Sequence, residues 1–328
     1  MFWFETAEVC LCSFPLFILY IRVLYVLARR RASFASHFYT IMLVGGVFDV
    51  LGCSFYLVLI RLVNTDWFVN NIMSSVMKKF TFYGTPVIYL EYHCMYTAQI
   101  SPLVMAFNRM CSLCFPLRYD RIWKHWKPIL FVCYVILPFS FAWYILLNRS
   151  GFTFDVTPLW FNYSGYDYDH TYTFGIMDAV VTLYLSLGCA VLAFCLNLVN
   201  VCMLIRHKMK GYVTGKREAN LVICSTVIFF VQCCVVLGQH IYMSGAFNIY
   251  VTLRFIIPPT LEAQFVFPAL VIVLSIGSLR EVVFSPLFNS RPIITFSNFQ
   301  SNSITPIEAF ESIVVPNNAV AAYNNRSV

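Results

Sequence analysis

"TLYLSLGCAVLAFCLNLVNVCMLI", Thr182 to Ile205, is the stretch that decides the fold. No Asp, Glu, Lys or Arg interrupts it. At 1.5 Å of helical rise per residue it outspans a hydrocarbon core of about 30 Å. It belongs to a longer apolar segment near 173–205, and six segments of the same kind lie near 8–28, 38–60, 81–107, 128–147, 220–243 and 258–279. Lipid offers no hydrogen bonds to the backbone, so a spanning segment must be a helix or a strand of a closed barrel. Barrel strands are short and alternate polar with apolar, and these runs do not. The sequence therefore predicts an all-α membrane protein, a seven-transmembrane helix bundle over 8–279. A short N-terminus (1–7) precedes it, and a mostly disordered tail rich in Asn, Ser and Pro (280–328) follows.

Composition leads to the same class. Hydrophobic residues make up 60% and charged residues 11%, against about 45–50% and 25% in soluble domains. The net charge is +7, which in a soluble chain would suggest nucleic acid. Its distribution points to lipid instead. Of 22 basic residues, 16 fall in the 29–37, 108–127 and 206–219 connections and the C-terminal tail. Only 5 fall in the alternate connections, and Arg22 lies inside the first span. Basic residues mark the cytoplasmic side, so the N-terminus is expected outside and the C-terminus inside. Asn148-Arg149-Ser150 and Asn162-Tyr163-Ser164 are glycosylation sequons in the connection predicted to lie outside, so Asn148 and Asn162 are candidate glycan acceptors. Asn325 heads a third sequon on the inner side and is expected to stay bare. No cleavable signal peptide is expected, and Arg22 reads as a snorkelling side chain.

Several chemistries lack their residues. The last lysine, Lys216, precedes the sixth span, which leaves no Schiff-base lysine for a retinal in the seventh. His93 and His240 are the histidines within spans, too few for a membrane zinc hydrolase. No GxSxG, HExxH or phosphate-binding loop occurs. The cysteines sit almost entirely inside spans and read as packing residues, with no disulfide expected to the 148–172 loop. No enzyme, metal or cofactor is expected. A small-solute transporter or channel of seven helices is the alternative that the same spans allow, though no internal repeat supports it.

The inner end of the third span reads "SPLVMAFNRMCSLCFPLRYDRIWKHWKPI", Ser101 to Ile129. This layout resembles G-protein-coupled receptors, with Asn108-Arg109-Met110 where they carry Asp-Arg-Tyr. The string Asn108-Arg109, Phe115-Pro116-Leu117 and Ile122-Trp123 is similar to the nematode serpentine chemoreceptors, most closely to serpentine receptor class gamma. The likeness extends to "LPFSFAWYILL" (Leu137–Leu147) and "LSIGSLREVVF" (Leu274–Phe284). It implies a receptor for small molecules that couples to a heterotrimeric G protein at the plasma membrane, in the sensory cilium of chemosensory neurons. Asn108, Arg109 and Trp123 are then the candidate coupling residues, and nucleic acid is no partner. The rhodopsin-like Cys-Trp-x-Pro and Asn-Pro-x-x-Tyr motifs are absent.

Ionisable groups inside a membrane are costly and default to functional candidates. Asp178, Gln239, His240 and Glu262 are placed near the outer ends of the fifth, sixth and seventh spans, where they are expected to meet across one ligand cavity. Glu91 lies deeper in the third span as a further ligand candidate, and Asp49 in the second as a packing residue.

Overall fold

A computed structural model describes residues 13–30, 34, 36–63, 65, 68, 80–155, 163–210 and 216–288. Seven long helices follow in order: α1 (Phe14–Arg29), α2 (His37–Tyr56, continued by a wide π turn to Leu62), α3 (Thr85–Cys114), α4 (Trp126–Leu147), α5 (Asp178–Met209), α6 (Lys216–Ser244) and α7 (Ile249–Ser275). An eighth, α8 (Gly277–Phe288), adjoins α7. Five of them, α2 and α4 to α7, are long and apolar enough to cross a membrane. Counting α3 with its continuation makes six, the chain turning by 111° between Cys114 and Pro116. Sixteen residues of α1 are described, and it completes the bundle.

Helix α2 starts where Ser36 takes the backbone N–H of Phe38, a conventional N-cap. It packs through glycines, because in lipid close van der Waals approach is a main source of helix association. A methyl group at Gly52 would lie 2.6 Å from the Phe265 ring and 2.9 Å from Cys94 Cβ, so α2, α3 and α7 meet there at backbone distance.

Prolines break the helical ladder, and the neighbouring helices repair it. Pro138 has no N–H for the carbonyl of Tyr134 one turn earlier. That carbonyl lies 3.0 Å from His93 Nε2 of α3, and the Tyr89 hydroxyl lies 3.1 Å from His93 Nδ1. His93 is thus a packing residue with both ring nitrogens engaged, as the sequence suggested. Pro102 and Pro268 leave the carbonyls of Ala98 and Gln264 without their helical donors in the same way.

Several expectations change. Helix α5 begins at Asp178 rather than near 173, and α7 begins at Ile249 rather than 258. Arg61 and Arg254, assigned to connections by sequence, lie within the π turns of α2 and α7. Arg22 does not snorkel: its Nε donates to the carbonyl of Val283 at 2.5 Å, clasping α8 to α1. The apolar face of α8 follows suit, with Leu279 and Val283 fully buried in the bundle core rather than laid on lipid. The tail beyond 288 lies outside the described residues.

Between α4 and α5 the chain forms a two-stranded antiparallel hairpin, β1 (Ser150–Asp155) with β2 (Tyr163–Tyr168), in register Ser150 to Tyr168. Thr81, just before α3, bridges to Ser150 and ties the hairpin to the bundle.

Candidate functional site

Polar side chains gather at three levels of the bundle. At the end opposite the hairpin, Arg109 of α3 is 2% exposed and reaches across to α6, where Nη1 donates to Glu218 Oε2 at 3.1 Å. Its Nη2 donates to Asn108 Oδ1 at 2.9 Å, and the guanidinium sits 4.5 Å from the Phe38 ring of α2. Asn108 in turn donates to the Tyr119 hydroxyl at 3.1 Å, and burial raises that phenol's pKa. Asn108 and Arg109, both coupling candidates from the sequence, are thus hydrogen-bonded to each other. Trp123 differs from its expected role. It is fully buried, stacked 6.0 Å from His37 and 6.4 Å from Phe107. Its ring fastens the turn after α3 to the bundle and presents no surface to a partner.

At mid-depth three glutamines converge. Gln99 of α3 donates to Gln264 Oε1 of α7 at 2.7 Å, and Gln232 of α6 donates to the Gln99 backbone carbonyl at 2.9 Å. All three are buried. A small cavity adjoins them, lined by Gln232, Gln264, Asp49, Ser101 and apolar residues of α3, α6 and α7. Asp49 accepts from the Tyr20 hydroxyl at 2.6 Å, joining α2 to α1, which fits the packing role expected of it. No sequence signal marked the glutamines; their spacing along three helices becomes visible only once the helices are rotated into place.

At the hairpin end Asp178, the first residue of α5, accepts hydroxyls from Tyr144 of α4, Tyr168 of β2 and, at 3.4 Å, Tyr92 of α3. A helix N-terminus favours a carboxylate there. Burial drives the Tyr168 phenol well above its ordinary range, and the neighbouring carboxylate adds to the effect. Glu262 is held elsewhere, by Arg61 of α2 and by the Ser13 hydroxyl before α1. Its partners sit at the hairpin-side ends of their helices, Ser13 just before α1 and Arg61 in the last turn of α2, so Glu262 lies at that level although α7 begins thirteen residues before it. The partners of Asp178 and Glu262 do not overlap, so the two carboxylates form separate clusters and not one cavity.

Gln239 and His240 also part company. Successive helical residues point about 100° apart, and Gln239 is buried while His240 is exposed on the outside of the bundle. Glu91 is half-buried, and its Oε2 has no hydrogen-bond partner. It shares a face of α3 with Met95, Ala98 and Pro102 by helical spacing. Asn148 is fully buried, its amide donating to the Tyr144 carbonyl at 2.9 Å and accepting from Tyr172 N at 2.7 Å. A glycan has no room on that nitrogen. Asn162 lies outside the described residues.

The Srg family chemoreceptor profile matches residues 7–276, most of the chain and the whole of the bundle's core. Serpentine receptor class gamma-17 of Caenorhabditis elegans is 31% identical over 88 residues, an alignment that covers 23% of this chain and 28% of that relative.

Proposed function

Because the chain belongs to the Srg family of chemoreceptors, we propose that it detects small molecules at the hairpin side of the membrane and signals to a heterotrimeric G protein at the Arg109 side. The observation that carries this reading is the Arg109–Glu218 pair. It joins α3 to α6 across the mouth of the bundle, and a partner or a ligand-driven shift of α6 can exchange it. A two-state element of this kind is what a signal across a packed bundle requires. The ligand path runs between α3, α6 and α7, past the unpaired Glu91 carboxylate and Gln239. Asp178 and Glu262 act as structural ties beside it.

The reading includes an outside N-terminus and a cytoplasmic C-terminus, from the basic asymmetry, and places the receptor in the plasma membrane of a sensory cilium. Asn162 is the remaining acceptor for a glycan there. The test is expression in cells with a G-protein readout against a small-molecule panel. A response that disappears in Arg109→Ala, with surface expression kept, supports the proposal. Solute uptake or current that needs no G protein overturns it in favour of a transporter or channel.

A further inference from the structure

We propose that the glutamine-lined cavity at mid-depth is the seat of the ligand's polar head, and that this head is a neutral hydroxyl carried on a small apolar body. The inference deepens the chemoreceptor reading and rests on it for the word ligand.

Gln99 Oε1, Gln232 Oε1 and Gln264 Nε2 are buried without a hydrogen-bond partner. An unpaired buried polar group costs about 1–3 kcal/mol, and Gln232 and Gln264, which line the cavity, carry two of the three; they are a standing cost unless something visits them. The amides can be turned either way, yet the cluster keeps both a free acceptor and a free donor in each arrangement.

The two proline kinks add to the acceptors. Pro102 and Pro268 both line the cavity, and so do Ala98 and Gln264, the residues whose carbonyls they leave without a helical donor. The comparison with Pro138 is instructive: there the freed carbonyl is taken up by His93. Among the described residues no side chain donates to the carbonyl of Ala98 or of Gln264. One proline gap is closed by a side chain, and the two that are not belong to residues lining one cavity.

Chemistry then selects the occupant. Acceptors outnumber donors, so the head must donate, and the free amide nitrogen calls for a head that also accepts. A hydroxyl does both. The space is about the size of one water molecule, which suits a hydroxyl and excludes a carboxylate or a ring. Met105, Ile228 and Val231 form the apolar wall, and methionine yields readily to an alkyl body. Asp49 also lines the space, but its carboxylate already accepts from Tyr20. A protonated amine is the rival that would use it.

The test uses the purified full-length receptor in detergent and follows its thermal midpoint against a straight-chain primary alcohol, with the amine and the carboxylic acid of the same chain as probes. A saturable rise with the alcohol is expected. Gln232→Leu and Gln264→Leu should each weaken the apparent affinity roughly three- to tenfold, the worth of one hydrogen bond. Gln→Met at the same positions keeps side-chain length if leucine prevents folding. Without ligand, each variant should lower the midpoint modestly, since Gln232→Leu strands the Gln99 carbonyl and Gln264→Leu the Gln99 amide while each also removes an unpaired atom. A greater shift with the amine overturns the hydroxyl assignment, and so does equal alcohol affinity in the variants or no saturable shift in the wild type. A large loss of midpoint without ligand would make the glutamines structural ties and also overturn it. Because no G protein enters this measurement, its failure leaves the signalling assay untouched, and the converse holds.

Discussion

The two ends of the bundle handle buried charge in opposite ways. At the hairpin end the Asp178 carboxylate collects hydroxyls from Tyr144, Tyr168 and Tyr92, tying α4, β2 and α3 to the start of α5. At the other end the Arg109 guanidinium, 2% exposed, holds across the helix gap a single carboxylate, Glu218, that is 38% exposed. The first is a multiple tie among neutral donors and needs several bonds to break together. The second has its carboxylate partly in solvent, where it can be exchanged for another partner, while the buried guanidinium keeps Asn108 and the Phe38 ring. The end assigned to the G protein is held by a contact that thermal motion and a partner can exchange.

The largest effect should come from breaking the strong end. Asp178→Ala leaves the buried Tyr144 and Tyr168 hydroxyls without their acceptor, at a cost on the order of 3 kcal/mol. The expected outcome is a fall in thermal midpoint and in surface expression together, read by unfolding of the purified protein and by surface labelling. Asp178→Asn keeps an acceptor and should recover most of the loss. Equal loss in both variants would mean that the charge, and not the acceptor, holds the hairpin down.

At the other end a stability assay should move little and signalling should move much. Arg109→Ala is expected to cut the agonist response at least tenfold while surface expression and ligand binding persist. If trafficking and binding collapse with it, Arg109 is a structural anchor and the contrast between the ends disappears. A smaller effect of opposite sign should follow Glu218→Gln. Weakening the bridge favours the open arrangement, so basal signalling should rise by roughly two- to fivefold, the factor that corresponds to about 0.5–1 kcal/mol.

How far the sequence could be read depends on which solvent imposes the constraint. Lipid demands long, charge-free helices, so all seven spans were legible, and the Asn108-Arg109 unit could be found from the string around it. Where a helix carries a charge and prolines at its end, the rule misleads. "IYVTLRFII" (Ile249 to Ile257), followed by two prolines, reads as a connection, yet it continues α7 outward through a π turn. That shift leaves Glu262 thirteen residues inside α7, level with Ser13 before α1 and Arg61 in the last turn of α2. Rotation about a helix axis is the other hidden variable: Gln239 and His240 are neighbours in sequence and face different surroundings. The same blindness concealed the Gln99, Gln232 and Gln264 cluster, whose members come from three helices. The Asn148 sequon satisfies the pattern for a glycan, while the fold spends its amide on capping the end of α4.

The smallest expected effect concerns pH at the hairpin end. His170 follows β2, with Nε2 3.5 Å from Asp167 Oδ2, and the two side chains are 52% and 41% exposed. The hydrogen bond with Asp167 raises the imidazole pKa above its ordinary value, against the opposing pull of burial. A histidine whose pKa is higher folded than unfolded lends stability that is full below the unfolded value, about 6.5, and fades as pH rises through the folded one. The hairpin should therefore be held slightly more firmly at about pH 6 than at about pH 8. Solvent screening keeps the difference small, because both partners are exposed. Hydrogen exchange of the β1–β2 amides at the two pH values, corrected for intrinsic rates, reads it directly. His170 has φ of 53°, a left-handed conformation that asparagine tolerates, so His170→Asn removes the charge without straining the turn. The variant should lose the pH dependence and keep the protection seen at the higher pH. A pH dependence that survives in His170→Asn would place the titrating group elsewhere.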